Sequence, residues 1–160
     1  MSLSKPAISV ILFFVFSDIQ LLSFWFAEET LNLFLYRVSS NSVYRNFDLP
    51  TRGNTAYKPE QALDLHYLLT PYATNELRAQ QILVSAMKAL NEHPILTKDT
   101  ISKAVQNEPT IAGSDLGNQV ELVKINLQPL SLEELANVWS SFCHSSYRTS
   151  VTYRASLVII

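Results

Sequence analysis

The sequence is poor in charge. Only 16% of its 160 residues are Asp, Glu, Lys or Arg, and the formal net charge is −2. A chain without an excess of basic residues has no electrostatic field that would hold a phosphate backbone or an anionic membrane surface. We therefore expect no nucleic acid among its partners.

Cysteine and glycine are also scarce. The one cysteine, Cys143, cannot form a disulfide within the chain, so the sequence fits folding in the cytoplasm. The three glycines are too isolated for a phosphate-binding loop. His66, His93 and His144 have no metal-ligand spacing with one another or with Cys143. We expect neither a cofactor nor a metal.

Apolar residues, in contrast, make up 48% of the chain. A chain of this length is sufficient for one domain with a core of its own, and it contains no internal repeat. We predict a single domain over residues 1–160. Within it, residues 1–30 form an apolar N-terminal segment, and residues 39–60, rich in turn formers, form a long loop at an interface.

The N-terminal segment has two apolar runs, residues 7–16 and 21–26. Asp18 lies between them, and a carboxylate in the centre of a bilayer costs roughly 2.5–3.5 kcal/mol. The longest run without charge is also shorter than the roughly 18 residues that a spanning helix needs. The sequence favours a buried helix or an interface segment, and membrane contact through residues 8–26 stays open as the alternative.

Four segments have the pattern of strands. Residues 31–38 are apolar on both alternating faces, which predicts a central strand covered on two sides. Residues 62–69 and 120–127 alternate with the period of half-buried strands. Residues 151–160 form an apolar C-terminal strand that must be central or covered by a neighbour. Its apolar face is predicted to contain Val151, Tyr153, Ala155, Leu157 and Ile159.

Two segments have the period of amphipathic helices. Thr74 can cap a helix that runs to about Asn91. Ser131 and Glu134 have the spacing of a capping box, which opens a helix that runs to about residue 142. The elements together predict an α/β (α+β) fold, with a mixed sheet of about four or more strands packed by two to three helices.

One pair of residues has the chemistry of a catalytic site. Asp64 and His66 lie two apart on one strand face, where a carboxylate can orient an imidazole for acid–base catalysis. No nucleophile on a sharp turn accompanies them, and such pairs are common on strand faces. We therefore predict that the protein is not an enzyme, and a small hydrolase using Asp64 and His66 is the less favoured alternative.

Arginine and aromatic residues surround the long loop. Rigid rings combined with planar guanidinium groups are enriched at protein interfaces. The apolar C-terminal strand adds a second candidate surface. The predicted interface residues are Tyr36, Arg37, Tyr44, Arg45, Arg52, Tyr153, Arg154, Leu157 and Ile159.

Several longer strings of residues resemble a known family. They are, in chain order, Leu33-Phe34-Leu35-Tyr36, Asp48-Leu49-Pro50, Asp64-Leu65-His66-Tyr67, His93-Pro94-Ile95-Leu96 and Leu127-Gln128-Pro129-Leu130-Ser131. In this order they resemble the tail-terminator, or cap, proteins of extracellular contractile injection systems. The resemblance covers about residues 31–160.

The resemblance implies a phage tail-terminator-like fold and a structural role. It implies a hexameric ring on the last layer of the inner tube and sheath, which stops polymerisation and stabilises the particle. The implied partners are other copies of the chain and the tube and sheath proteins. The implied location is the bacterial cytoplasm during assembly and then the particle, released or membrane-associated. A membrane-peripheral assembly protein is the alternative function.

Overall fold

The computed structural model describes residues 29–41, 62–101, 122–142 and 146–159. These residues form five strands and two helices, with a further helical segment at 98–101. The strands are β1 (Thr30–Ser40), β2 (Ala62–Tyr72), β3 (Ile95–Leu96), β4 (Val123–Leu127) and β5 (Val151–Ile159). The helices are α1 (Glu76–Glu92) and α2 (Leu132–Ser140).

The five strands form one sheet in the order β1-β2-β5-β4-β3. The predicted α+β class, with four or more strands and two to three helices, is confirmed. All four described pairings are antiparallel, where a mixed sheet was expected. The reason lies in the connections, since parallel neighbours need a crossover. Leu127 at the end of β4 lies opposite Tyr153 near the start of β5, so the chain returns through α2 at the same end of the sheet.

The prediction that residues 31–38 form a central strand is wrong, because β1 is an edge strand of the described sheet. Its residues alternate between exposed and half-buried. The central strands are β2 and β5, and β2 is buried along almost its whole length. The C-terminal strand was predicted to be either central or covered by a neighbour, and β5 is central, between β2 and β4. The position of β1 depends on β5, which is distant in the chain. Because β5 pairs with the other side of β2, β1 has one neighbour in the described sheet.

Helix α1 covers one face of the sheet, called here the α1 face. Asn75 caps the helix in place of Thr74, since its side chain accepts a hydrogen bond of 2.8 Å from the Arg78 amide. The predicted amphipathic period is confirmed, since Ala79, Leu83, Ala86 and Leu90 form a buried apolar stripe along the helix. Leu83, Ala86 and Leu90 belong to one core cluster with Leu65, Tyr67, Leu69, Leu96, Val123, Ile125, Tyr153, Ala155 and Val158, among others.

Helix α2 begins at the predicted capping box. The Glu134 amide donates to the Ser131 hydroxyl at 3.2 Å, and the Ser131 amide donates to Glu134 Oε2 at 2.9 Å. Both contacts satisfy backbone groups that a helix start leaves free. The helix ends at Ser140, two residues before the predicted end. The predicted start of this element is therefore confirmed to the residue.

A shift of register interrupts the predicted alternation of β5. Leu63 pairs with Val158, whereas Leu65 pairs with Ala155, so β5 has one residue more than β2 between these pairs. Val158, 2% exposed, therefore joins Tyr153 and Ala155 in the core. Strict alternation from Tyr153 would place Val158 on the opposite face, and a bulge reverses the faces beyond it. The side chains of Leu157 and Ile159 lie outside the described structure, so their predicted place on the apolar face stays a prediction.

Several predictions concern residues outside the described ranges. The apolar segment 8–26, the part of the long loop at 42–60, and Cys143-His144 are among them. The extent of the domain, 1–160, therefore stays a prediction. No helix among the described residues is long and apolar enough to cross a membrane.

Candidate functional site

The face of the sheet opposite α1 is the candidate site, and we call it the α2 face. A bulge in β1 shapes it, because Leu35 pairs with Tyr67 whereas Arg37, two residues later, pairs with His66. Successive side chains on a regular strand point to opposite faces, and the extra residue of a bulge interrupts this rule. Tyr36 and Arg37 therefore both lie beside His66, and the Tyr36 and His66 ring centroids are 6.1 Å apart.

His66 is the centre of a buried polar network. Its Nε2 lies 2.9 Å from the Ser39 hydroxyl, and its Nδ1 lies 2.9 Å from Gln128 Oε1. Gln128 Oε1 is an acceptor, so Nδ1 carries a proton, and Nε2 accepts from the Ser39 hydroxyl when the imidazole is neutral. Burial lowers the pKa of His66 from its ordinary value of 6.5, the Gln128 bond partly offsets this, and the Arg37 charge lowers it again.

The lowered pKa of His66 predicts pH-dependent stability. In the unfolded chain His66 titrates near pH 6.5, and in the folded chain it titrates lower. Between the two pKa values the unfolded chain binds more protons, so stability rises with pH. The contribution of His66 is complete above about pH 6.5 and is lost as the pH falls through the folded-state pKa. Thermal unfolding at pH 7.5 and pH 5.5 should show a lower midpoint at pH 5.5.

The variant His66→Gln should lose much of this pH-dependent fall in the midpoint. His93→Gln is the matched control, because His93 is exposed at the end of α1. It should keep the fall seen in the unmodified chain. An equal fall in the His66→Gln variant and the unmodified chain would contradict the assignment.

Asp64 and His66 are not hydrogen-bonded to each other in this network. Asp64 Oδ1 accepts from Asn41 Nδ2 at 2.8 Å, and the two His66 nitrogens contact Ser39 and Gln128. A serine hydroxyl in contact with a histidine, as Ser39 is with His66, also occurs in hydrolases. In those enzymes a carboxylate contacts the other ring nitrogen and stabilises the imidazolium, whereas here the Gln128 side-chain amide occupies that position. The hydrogen bonds join β1, β2 and the segment after β4. In the described structure the hydrogen bonds of both residues hold these strands together.

The register aligns a row of side chains across four strands of the α2 face. The row consists of Arg37 on β1, His66 on β2, Arg154 on β5 and Asn126 on β4. Arg154 Nε is buried and has no hydrogen-bond partner among the described residues. A buried donor without a partner costs about 1–3 kcal/mol, and more when it is charged. Arg154 Nε is therefore an unsatisfied donor on the half-buried side chain next to His66.

Aromatic rings attach α2 to the same face. Trp139 on α2 lies 5.5 Å from Phe142, and Phe142 lies 4.9 Å from Phe34 on β1, both with edge-to-face geometry. Tyr147 lies 5.7 Å from Trp139. Edge-to-face pairs at these distances are favourable. The rings cover one end of the face, while Arg37 at its edge is exposed.

Comparison with known proteins places the chain in a family. The family model of the Pvc16 N-terminal domain matches residues 20–160. The chain belongs to the Pvc16 N-terminal domain family. This match, together with the two solved structures described next, confirms the predicted resemblance to the terminators of contractile injection systems. No curated protein matches the chain.

Two solved structures share the fold of this Pvc16 N-terminal domain. One is the PVC sheath/tube terminator of an extracellular contractile injection system in the extended state, with a TM-score of 0.58 and 16% identity. The similarity covers 100% of this chain and 58% of the terminator chain. The other is the tube-terminating cap of the anti-feeding prophage, with a TM-score of 0.54, 18% identity, and matches over 84% and 44% of the two chains. The chain spans about half the length of these proteins.

The predicted interface residues of this Pvc16 N-terminal domain fall in different places. Tyr36, Arg37 and Arg154 lie together on the α2 face. Tyr153 points to the α1 face, is buried in the core, and its burial raises the pKa of its hydroxyl. Tyr44, Arg45 and Arg52, and the side chains of Leu157 and Ile159, lie outside the described parts of the structure. The interface role of all nine residues stays a prediction.

The sequence analysis missed two features of this Pvc16 N-terminal domain. Ser39 and Gln128 hold His66, although they lie 27 and 62 residues away from it in the chain, and no local signal links them. The second is a groove of about 460 Å³ between α1 and β4, lined by Val84, Met87 and Leu127 among others. Within the described residues no group of His, Cys, Asp and Glu has the arrangement of a metal site.

Proposed function

We propose that this domain is part of a cap that ends the inner tube and sheath of an extracellular contractile injection system. The observation that carries the proposal is the fold, which the PVC sheath/tube terminator shares over the whole chain. Membership of the Pvc16 N-terminal domain family supports it. Since the chain spans 58% and 44% of the two similar structures, the activity of a complete cap protein is part of the proposal.

The proposed cap is a ring of identical copies, and the resemblance implies six. A ring made of one kind of subunit needs two different surfaces that fit each other. The described sheet has two different ends. One end is the 11-residue edge strand β1 with exposed Phe34 and Val38. The other end has only the two-residue β3, exposed Ile95 and Leu127, and the groove beside α1.

We propose that the β1 end of one copy packs against the β3 end of the next. An edge strand pairs readily with another chain, and a short β3 leaves part of β4 without a neighbouring strand. The proposed role is structural and needs no turnover, which agrees with the role of His66 and Asp64 in joining strands. Assembly would take place in the cytoplasm, before the cap becomes part of the particle.

Electron microscopy of particles from a strain that lacks the gene tests the function. A terminator stops polymerisation, so tubes and sheaths without it should be longer and more variable in length. Supplying the full protein from a plasmid should restore uniform particles. Particles of unchanged, uniform length with normal ends in the deletion strain would contradict the proposed cap.

The mass of the purified full protein tests the ring. A complex of several copies is expected at micromolar concentration, and Leu127→Glu should shift it towards monomers because it places a charge in an apolar contact. Leu77→Glu is the matched control, since Leu77 is 68% exposed at the start of α1. A strict monomer, or an equal effect of both variants, would contradict the proposed contact.

A further inference from the structure

Helix α1 is too narrow to cover the whole α1 face of the sheet. Its buried side chains share one core cluster with residues of β2 and β5, so it lies over the two central strands. Neighbouring strands are about 4.8 Å apart, so five strands span roughly 19 Å, whereas a helix with its side chains is about 10–12 Å wide. On the β4 side of α1 this leaves the groove lined by Val84 and Met87. On the β1 side we expect a second strip that α1 does not cover.

One flank of α1 faces this second strip. Arg78 Nε donates to Glu29 Oε1 at 2.8 Å, and Glu29 directly precedes β1. Ile82 and Ala89 lie four and eleven residues after Arg78, so helical periodicity places them on the same flank. We call it the β1 flank. Val84 lies on the other side of the helix, where it lines the groove with β4.

The strip between the β1 flank and β1 is apolar. Three leucines of β1 are half-buried and pack against the core cluster, so they point to the α1 face. On the helix, Ile82 is half-buried and Ala89 is 2% exposed. We call these residues together the β1 strip, which consists of Leu31, Leu33, Leu35, Ile82 and Ala89. Such a surface is suited to an apolar partner.

Glu29 shows where the partner comes from. It is the first described residue and is only 8% exposed, although it lies at the end of an edge strand. Its Oε1 accepts from Arg78, while its Oε2 is buried and has no hydrogen-bond partner among the described residues. Folded proteins pair nearly all buried polar atoms. We therefore expect the residues just before Glu29 to cover it and to supply a donor to Oε2.

We propose that the apolar segment 7–26 of the same chain packs on the β1 strip and completes the cover of the α1 face. Only residues 27 and 28 separate the segment from Glu29, and so few residues span at most roughly 10 Å, so the segment begins beside the strip. Its two apolar runs match the leucine, isoleucine and alanine side chains of the strip. This packing does not depend on the proposed cap.

The groove on the β4 side and a bilayer are less suitable places for the segment. To reach the groove, the segment would have to cross α1, because Glu29 is bound to Arg78 on the opposite flank. A bilayer would have to accept Asp18, which lies between the two apolar runs. A strip at the surface of the subunit leaves one side of the segment in water, where a carboxylate is stable.

Trp25 lies within the segment and can report its position. The chain has two tryptophans, so Trp139→Phe leaves Trp25 as the only one, and Cys143→Ser removes the only cysteine. A nitroxide, which quenches tryptophan emission at short range, is then attached to one new cysteine. Ser85→Cys places it on the β1 flank, because Ser85 is exposed and lies seven residues after Arg78. Val84→Cys, on the groove side of α1, is the matched control.

The emission of Trp25 is measured on full-length protein at low concentration. The nitroxide at position 85 should remove most of the emission, and the nitroxide at position 84 should remove little, because the helix separates the two positions. The loss should be independent of dilution and of added phosphatidylcholine vesicles. Equal losses from both positions, or a larger loss from position 84, would overturn the inference. Recovery of the emission with vesicles would show that the segment prefers a bilayer, and would overturn it as well.

A mixture of two chains identifies which copy supplies the segment. One chain has the nitroxide at position 85 and both tryptophans replaced, by Trp25→Phe and Trp139→Phe. The other has no nitroxide and retains Trp25. If the segment packs within its own chain, mixing them at micromolar concentration should leave the emission unchanged. Quenching in the mixture would show that a second copy supplies the segment, and would overturn the inference.

Discussion

Replacing Trp139 with alanine is expected to lower the free energy of unfolding by about 3–5 kcal/mol. Trp139 is 7% exposed, and its ring contacts Phe142 and Tyr147. Phe142 in turn contacts Phe34 on β1. These contacts attach α2 to the sheet, so the truncation removes the largest ring in the cluster. Chemical denaturation followed by circular dichroism measures the loss, on the assumption of a two-state transition.

Two further variants test this explanation. Trp139→Phe should cost much less than Trp139→Ala, because the ring contacts persist and Trp139 Nε1 has no hydrogen-bond partner in the described structure. Leu132→Ala, also on α2, should change stability by less than about 1 kcal/mol because Leu132 is 78% exposed. If Trp139→Ala costs no more than Leu132→Ala, α2 is not held by these rings.

Replacing Leu69 with alanine is expected to cost about 2–5 kcal/mol. Leu69 is fully buried on β2, and it belongs to the cluster that α1 covers through Leu83 and Ala86. The truncation removes apolar contacts and leaves a cavity that a close-packed core fills only in part. Denaturant titration gives the difference in the free energy of unfolding.

The matched control for Leu69→Ala is Leu77→Ala on α1. Leu77 is 68% exposed, so its truncation should change stability by less than about 1 kcal/mol. The comparison is direct because the chemical change is the same and only burial differs. Equal losses at the two positions would show that the core does not centre on β2.

The two helices and four of the five described strands were readable in the sequence, but β3 and the positions of the strands in the sheet were not. The capping box at Ser131 and the stripe of α1 are local patterns, and the structure confirms both. The sequence analysis placed residues 31–38 at the centre, yet β1 is an edge strand of the described sheet. The apolar content of a segment measures its hydrophobicity. Its position in the sheet depends on which distant strands pair with it.

The candidate site shows the same division. Arg37 and Arg154 were among the predicted interface residues, but nothing local placed them on either side of His66. Two features of the sheet place them there. One is the bulge after Leu35 in β1, and the other is the pairing of β5 with β2. A bulge inserts one residue and reverses the faces beyond it, so strict alternation cannot locate it.

The sequence by itself determined the two helices, four of the five described strands and the likeness to terminators of contractile injection systems, because these depend on periodicity, capping and short strings of residues. Only the tertiary structure decided that β2 and β5 are central, and that His66 is held by Ser39 and Gln128 between two arginines. The physical reason is that a sheet joins residues distant in the chain. Hydrogen bonds between strands, rather than local preferences, set which side chains meet.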